Sequence, residues 1–135
     1  MIIGVTGTQK GGTQRQKEAL RQIFLWLQPS GLRHGDCIGV DSESQDIFQV
    51  VCKLTGPVYI HPPSDDTYRA KRSGILYHPL PYLCRDEYVA GKIPGAQTDL
   101  LVALPEQNYE ILRSGTWATV RYARQAKTPV IILLP

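Results

Sequence analysis

Apolar positions along the chain follow two alternating rhythms. Ile2-Ile3-Gly4-Val5-Thr6 is a short, nearly continuous apolar run that stops at Gly7, the pattern of a strand buried on both faces. Ala19, Leu20, Ile23, Phe24 and Leu27 then recur at helical spacing. Thr13 is placed to cap that helix, and Gln16, three residues on, completes a capping box. Pro29 and Gly31 end it. Leu32-Arg33-His34 predicts a second strand before Gly35. Asp41 or Ser42 can cap a second helix carrying Ile47, Val50, Val51 and Leu54, which Gly56 closes. A third strand runs over 57–61, and Pro62-Pro63 ends it.

Residues 62–81 are proline-rich, charged and irregular, and are expected to be an excursion within one domain. A short helix over 85–90, a fourth strand over 99–104, a last helix over 116–127 and a last strand over 129–134 complete the series. Strand and helix alternate five times. The expected fold is therefore α/β, a single Rossmann-like domain covering 1–135, with a mainly parallel five-stranded sheet and helices on both faces. Ligands of such sheets bind at the carboxyl ends of the strands. That selects the loops after Thr6, His34, His61 and Leu104.

Composition narrows the class. With 135 residues, 42% hydrophobic, and a net charge of +3, the chain fits one folded domain rather than two large domains or a disordered polymer. No apolar stretch is long enough to cross a bilayer, and Met1-Ile2-Ile3-Gly4-Val5 lacks the basic start of a secretory signal. Three cysteines, Cys37, Cys52 and Cys84, form no C-x-x-C pair. They point to a reduced, cytoplasmic setting with no disulfide framework and no zinc site. The histidines His34, His61 and His78 have no metal-ligand spacing, so neither a metal nor a cofactor is expected. The diffuse positive charge suits an anionic small molecule and not a nucleic-acid partner.

Four constellations carry candidate chemistry. Gly7-Thr8-Gln9-Lys10-Gly11-Gly12 joins a strand to a helix, where glycines let backbone N–H groups approach a phosphate. It is neither a P-loop nor G-x-G-x-x-G, and it also reads as an ordinary flexible turn. Ser114-Gly115-Thr116, with Thr119 one turn on, opens the last helix at its positive end; a plain cap is the simpler use of such residues. His34, Asp36 and Asp41 follow the second strand, where an acidic residue can bond a ribose hydroxyl. His61 ends the third strand. Arg85-Asp86 offers a bidentate cation, and Arg69 could close over a phosphate from the excursion. Trp26 reads as a core or dimer-face residue, and Arg121 and Arg124 as a solvated helix face.

Taken together, Gly4-Val5-Thr6-Gly7-Thr8, the segment from His34 to Asp41, His61-Pro62-Pro63 and the segment from Gly115 to Ala123 resemble the SLOG superfamily, which includes the LOG proteins, the DprA/Smf proteins and molybdenum-cofactor carrier proteins. The resemblance spans most of the chain, with 64–80 the exception. It implies a Rossmann-like fold that binds a nucleotide or nucleotide-derived ligand and assembles as a homodimer or higher homo-oligomer. LOG members cleave nucleoside monophosphates with a glutamate on the last helix and an arginine elsewhere. Here Gly115-Thr116 matches the phosphate-binding part, Arg85 matches the arginine, and the glutamate position is Thr119. A threonine cannot stabilise an oxocarbenium-like state, although Glu110 or Asp86 could supply a carboxylate. The resemblance thus implies a binder that does not cut its ligand: a carrier, a sensor, or a phage-borne scavenger of an immune nucleotide signal. The alternatives are a divergent phosphoribohydrolase and a single-strand DNA module.

Overall fold

The computed structural model describes residues 1–53 and 55–135. Leu54, expected on the second helix, lies outside them. The elements are β1 (Ile2–Gly7), α1 (Gln14–Leu27), β2 (Gly31–His34), α2 (Val40–Val51), β3 (Val58–Ile60), β4 (Ile75–Leu76), α3 (Tyr82–Val89), β5 (Leu100–Leu104), α4 (Gly115–Gln125) and β6 (Val130–Ile132). They form one sheet in the order β4-β3-β2-β1-β5-β6, with every pair parallel. The sheet has six strands where five were expected. The additional strand, β4, comes from the excursion, where Ile75 and Leu76 pair with Tyr59 and Ile60. Two residues beside Gly74 carry too short a pattern to register as a strand in sequence.

Period-two alternation along the strands separates two cores. Ile3, Val5, Leu32, Ile60, Val102 and Leu104 face α1 and α2, where Leu20, Phe24 and Phe48 meet them. Leu101 and Ala103 face the other way, onto Val89, Trp117, Val120 and Ala123 of α3 and α4. Phe24 and Phe48 lock α1 to α2 edge-to-face at 5.7 Å. The Thr13–Gln16 capping box forms as expected. Gln16 is buried, and its amide donates to the Pro105 and Leu133 carbonyls, tying the start of α1 to the ends of β5 and β6.

Two local expectations differ from what is found. Trp26 is 80% exposed and is not a core residue, because Phe24 takes the sheet-facing position two residues earlier. Neither Asp41 nor Ser42 caps α2. The N-cap is Gly39, which has no side chain to offer. Its φ of 86° suits glycine, and a Cβ there would lie 2.5 Å from the Thr8 carbonyl oxygen. That close approach lets Val40 N donate to Thr8 O at 3.1 Å, which fixes the loop after β1 against α2. No helix among the described residues is long and apolar enough to cross a membrane.

Candidate functional site

The order of strands along the sheet reverses between β1 and β5. The loop after β1 leads to α1 on one face of the sheet, and the loop after β5 leads to α4 on the other. A crevice at the strand ends follows from that topology. The structure holds a cavity of about 790 Å³ there, within the usual range for small-molecule sites of roughly 300–1,000 Å³.

One wall is the loop Gly7–Lys10. Thr8 N donates to Leu104 O at 3.2 Å and Gly11 N donates to Thr8 O at 3.2 Å, so the loop is anchored to β5 and folded on itself. Lys10 reaches across the mouth to Glu106, with Nζ 2.6 Å from Oε1. The facing wall is the start of α4. The Ser114 hydroxyl accepts from Trp117 N at 3.3 Å and caps the helix. Gly115 and Thr116 follow at the first two helical positions, whose N–H groups have no intrahelical partner. They line the cavity beside Arg113. Arg113 makes no ion pair among the described residues. The outer part of this wall, Ile111 and Leu112, is held by Arg121, whose guanidinium donates to both carbonyls.

The floor is ionic and buried. Arg85 lies over the Tyr82 ring at 5.3 Å. Its Nη2 donates to the Cys37 thiol at 3.2 Å, its Nη1 is 3.7 Å from Asp41 Oδ2 and its Nε is 2.9 Å from Asp86 Oδ1. Gly35 makes this possible, because a Cβ there would overlap the guanidinium. Burial disfavours the Arg85 cation, but Asp86 and Asp41 outweigh it, so the group stays charged. Burial pushes the Cys37 thiol up to about 11, with Asp41 adding to the effect; it is a thiol and not a thiolate at neutral pH. Burial likewise pushes Asp86 up to about 7, against the pull of Arg85. Four buried side-chain polar atoms among the described residues lack a hydrogen-bond partner: Tyr82 Oη, Arg85 Nε, Asp86 Oδ2 and Trp117 Nε1. The first three belong to cavity-lining residues.

Of the residues singled out in the sequence, the structure brings Gly7, Thr8, Gln9, Lys10, Ser114, Gly115, Thr116, Asp41 and Arg85 to this cavity. It places five others elsewhere. His34 is buried between two partners: its Nε2 donates to Gln45 Oε1 at 2.7 Å and its Nδ1 accepts from Asp36 N at 3.0 Å. Asp36 is fully buried. Its carboxylate takes Arg69 Nε at 2.8 Å and Arg72 N at 2.9 Å, clasping the excursion to the end of β2. Arg69 is therefore a tether and not a free lid. His61 stacks on Tyr77 at 4.2 Å and on Tyr88 at 5.1 Å, with Nε2 accepting from Arg33 Nη1 at 2.7 Å. Thr119 is buried one turn into α4, its hydroxyl donated to Gly115 O at 2.7 Å. Sequence reading passed over Cys37, Tyr82, Arg113 and Arg121 as cavity residues. Arg121 carried the only available signal, since it stands one helical turn from Trp117 and could have been read as facing the strand ends.

No protein-family model and no curated protein sequence matches the chain. Solved structures do match. The molybdenum cofactor binding protein of the phototrophic bacterium Rippkaea orientalis superposes with a TM-score of 0.69 at 22% identity, over 99% of this chain and 76% of that one. The molybdenum cofactor carrier protein of Chlamydomonas reinhardtii gives 0.64 at 24% identity, over 99% and 77%. The chain shares their Rossmann-like fold. At these identities the likeness establishes architecture alone.

Proposed function

We propose that this chain binds a phosphate-bearing small molecule, of nucleotide or pterin-phosphate type, in the cavity between β1 and α4 and holds it without cleaving it. One observation carries the reading: the cavity at the strand ends presents the free amides of a helix N-terminus beside Arg113, which has no ion-pair partner among the described residues. Gly115 and Thr116 suit an anion, Arg113 and Lys10 supply charge at the rim, and Tyr82 offers a ring face to a planar heterocycle. The solved structures of similar fold are named for binding the molybdenum cofactor, which places that pterin among the ligands to test beside nucleotides. Such a molecule would be cargo here. Among the described residues no group of three His, Cys, Asp or Glu is placed to hold a metal ion, and the contacts on offer suit the organic part and its phosphate. A cytoplasmic carrier, sensor or scavenger, as a homo-oligomer, is the setting we favour.

The second reading, a nucleoside-monophosphate glycosidase, is kept because Asp86 stands beside Thr119, the position where the related hydrolases carry their glutamate. One experiment separates the two. The ¹⁵N-labelled protein is mixed with AMP, GMP, ADP-ribose and a pterin phosphate and followed by NMR for a day. Carriage predicts shifts at residues 7–10 and 114–116 with the ligand chemically intact. Free base appearing in the spectrum would establish the glycosidase instead. Gly115→Asp, which sets a carboxylate at the first turn of α4 where only Asp86 Oδ2 lies within 4 Å, is expected to weaken binding at least tenfold with the fold retained. Unchanged affinity would move the site elsewhere.

A further inference from the structure

The cations that line the cavity are Lys10, Arg85, Arg113 and Arg121, and they differ in how they are held. Arg85 is buried against Asp41 and Asp86, and drawing it out would strand two acids. Arg121 donates to the Ile111 and Leu112 carbonyls and pairs with Glu110. Arg113 has no ion-pair partner among the described residues. Lys10 alone is both paired and easily released. Its Nζ lies 2.6 Å from Glu106 Oε1, in a bridge whose side chains are 76% and 45% exposed.

This bridge joins the two loops that frame the cavity, across 96 residues of sequence. The backbone is fixed at both ends. In the loop after β1, Thr8 N donates to Leu104 O and Gly11 N to Thr8 O, Lys10 N to the Thr8 hydroxyl at 3.2 Å, and Gly12 N to the Glu43 carboxylate at 2.8 Å. Those amides are spent inside the protein, so what this loop can bring to an anion is chiefly the Lys10 ammonium. On the other side Glu106 follows Pro105, whose carbonyl accepts from the buried Gln16 amide at 2.8 Å. Only the two side chains cross the mouth. Lysine has a flexible four-carbon stem and an exposed ion pair is weak, so they part by side-chain rotation with no change of backbone.

We propose that Glu106 is an internal competitor for the ligand: its carboxylate holds Lys10 across the mouth of the empty site, and the phosphate of an entering ligand takes Lys10 over. This rests on the phosphate-binding reading above. The exchange balances. One N–H···O contact to a carboxylate breaks, one to a phosphate oxygen forms, and no covalent bond changes. Glu106 thereby lowers affinity by the strength of the bridge and straps the mouth while the site is empty. It acts through Lys10 and is a positioning residue.

The test uses ribose 5-phosphate, titrated by NMR into the ¹⁵N-labelled full chain at low salt, where exposed pairs are least screened. Amide shifts at Gly115 and Thr116 report binding, and the Lys10 ¹⁵Nζ signal reports the partner of the ammonium. Glu106→Gln removes the competitor together with its charge. Glu106→Asp keeps the charge but is one methylene short of the bridge. Both bridging side chains are exposed, so the variants should fold. We expect the Nζ signal to move in both variants without ligand and in the wild type with it. Both variants should bind about twofold to fivefold tighter, the range an exposed ion pair supports. In a Lys10→Met background, where no bridge remains to break, Glu106→Asp should change nothing. Tightening by Glu106→Gln without tightening by Glu106→Asp would mean that Glu106 acts through its charge alone and would overturn the proposal. Equal affinity in wild type and both variants, with Gly115 and Thr116 still shifting, would overturn it and leave the phosphate site standing. No shift at Gly115 or Thr116 in any of the proteins would overturn both.

Discussion

His61 should make this fold sensitive to mild acid, and the size of the effect can be worked out. Its ring is 2% exposed. Its Nε2 accepts from the Arg33 guanidinium, so a second ring proton has no place and would face a cation. Burial first, and then Arg33, push it down from 6.5 to about 3. A depressed base contributes stability that is complete above the unfolded pKa and is lost as pH falls toward the folded one. The window runs from about 6.5 down to about 3. At about pH 5 the unfolded ring is protonated and the folded ring is not, a gap of about 1.5 pKa units, or about 2 kcal/mol. His34, lowered by its burial, acts in the same direction. Asp86, raised by burial, acts in the opposite one, so the wild-type curve alone mixes all three. Comparison with His61→Gln isolates the ring, since glutamine retains an acceptor for Arg33 without a titrating group. Urea unfolding of both proteins at about pH 7.5 and about pH 5 should show the variant less stable at the higher pH and the gap narrowing by about 2 kcal/mol at the lower. A gap that stays constant would mean that His61 is not held neutral, and the account of the Arg33–His61 contact would be wrong.

Two further outcomes test the frame around the cavity. Asp36→Ala removes the carboxylate that holds Arg69 and the Arg72 amide; we expect a loss of about 2–4 kcal/mol, with hydrogen exchange quickening at Ala70 and Ile38, whose amides pair across this clasp. Gly35→Ala expels the Arg85 guanidinium from the space it occupies and strands Asp41 and Asp86; a thermal midpoint lowered by several degrees, about 3 kcal/mol of stability, is expected, and an unchanged midpoint would show that Arg85 is not confined there.

The sheet was legible because its strands are apolar and uninterrupted and its helices carry clear start and stop residues. Thr13, Gln16, Pro29 and Ser114 each mark a boundary through a local hydrogen bond or a fixed φ. Local chemistry of that kind can be read from neighbours in sequence. β4 could not be, because Ile75 and Leu76 become a strand only through pairing with β3. The site was half legible for the same reason. Loops after strands are found by counting, so Gly7–Lys10 and Ser114–Thr116 were within reach. His34, Asp36 and His61 share the strand-end position but turn inward, and Arg69 reaches Asp36 from the excursion. Only the folded chain shows that Asp36 is spent on a clasp and that Arg85 needs Gly35 to be bare.

The position of Asp86 also bears on cleavage against carriage. In a nucleoside 5′-phosphate the phosphorus and the anomeric carbon are separated by several bonds. A carboxylate that stabilises an oxocarbenium ion must face the sugar and must be ionised. Asp86 meets neither condition. Its Oδ2 is sealed beside the first turn of α4, 3.7 Å from where a Gly115 Cβ would stand, and burial, against the pull of Arg85, raises the carboxyl well above the usual carboxylate range. A carboxyl group held in this way is ill suited to the charge stabilisation that cleavage demands, which favours the carriage proposed above over a glycosidase.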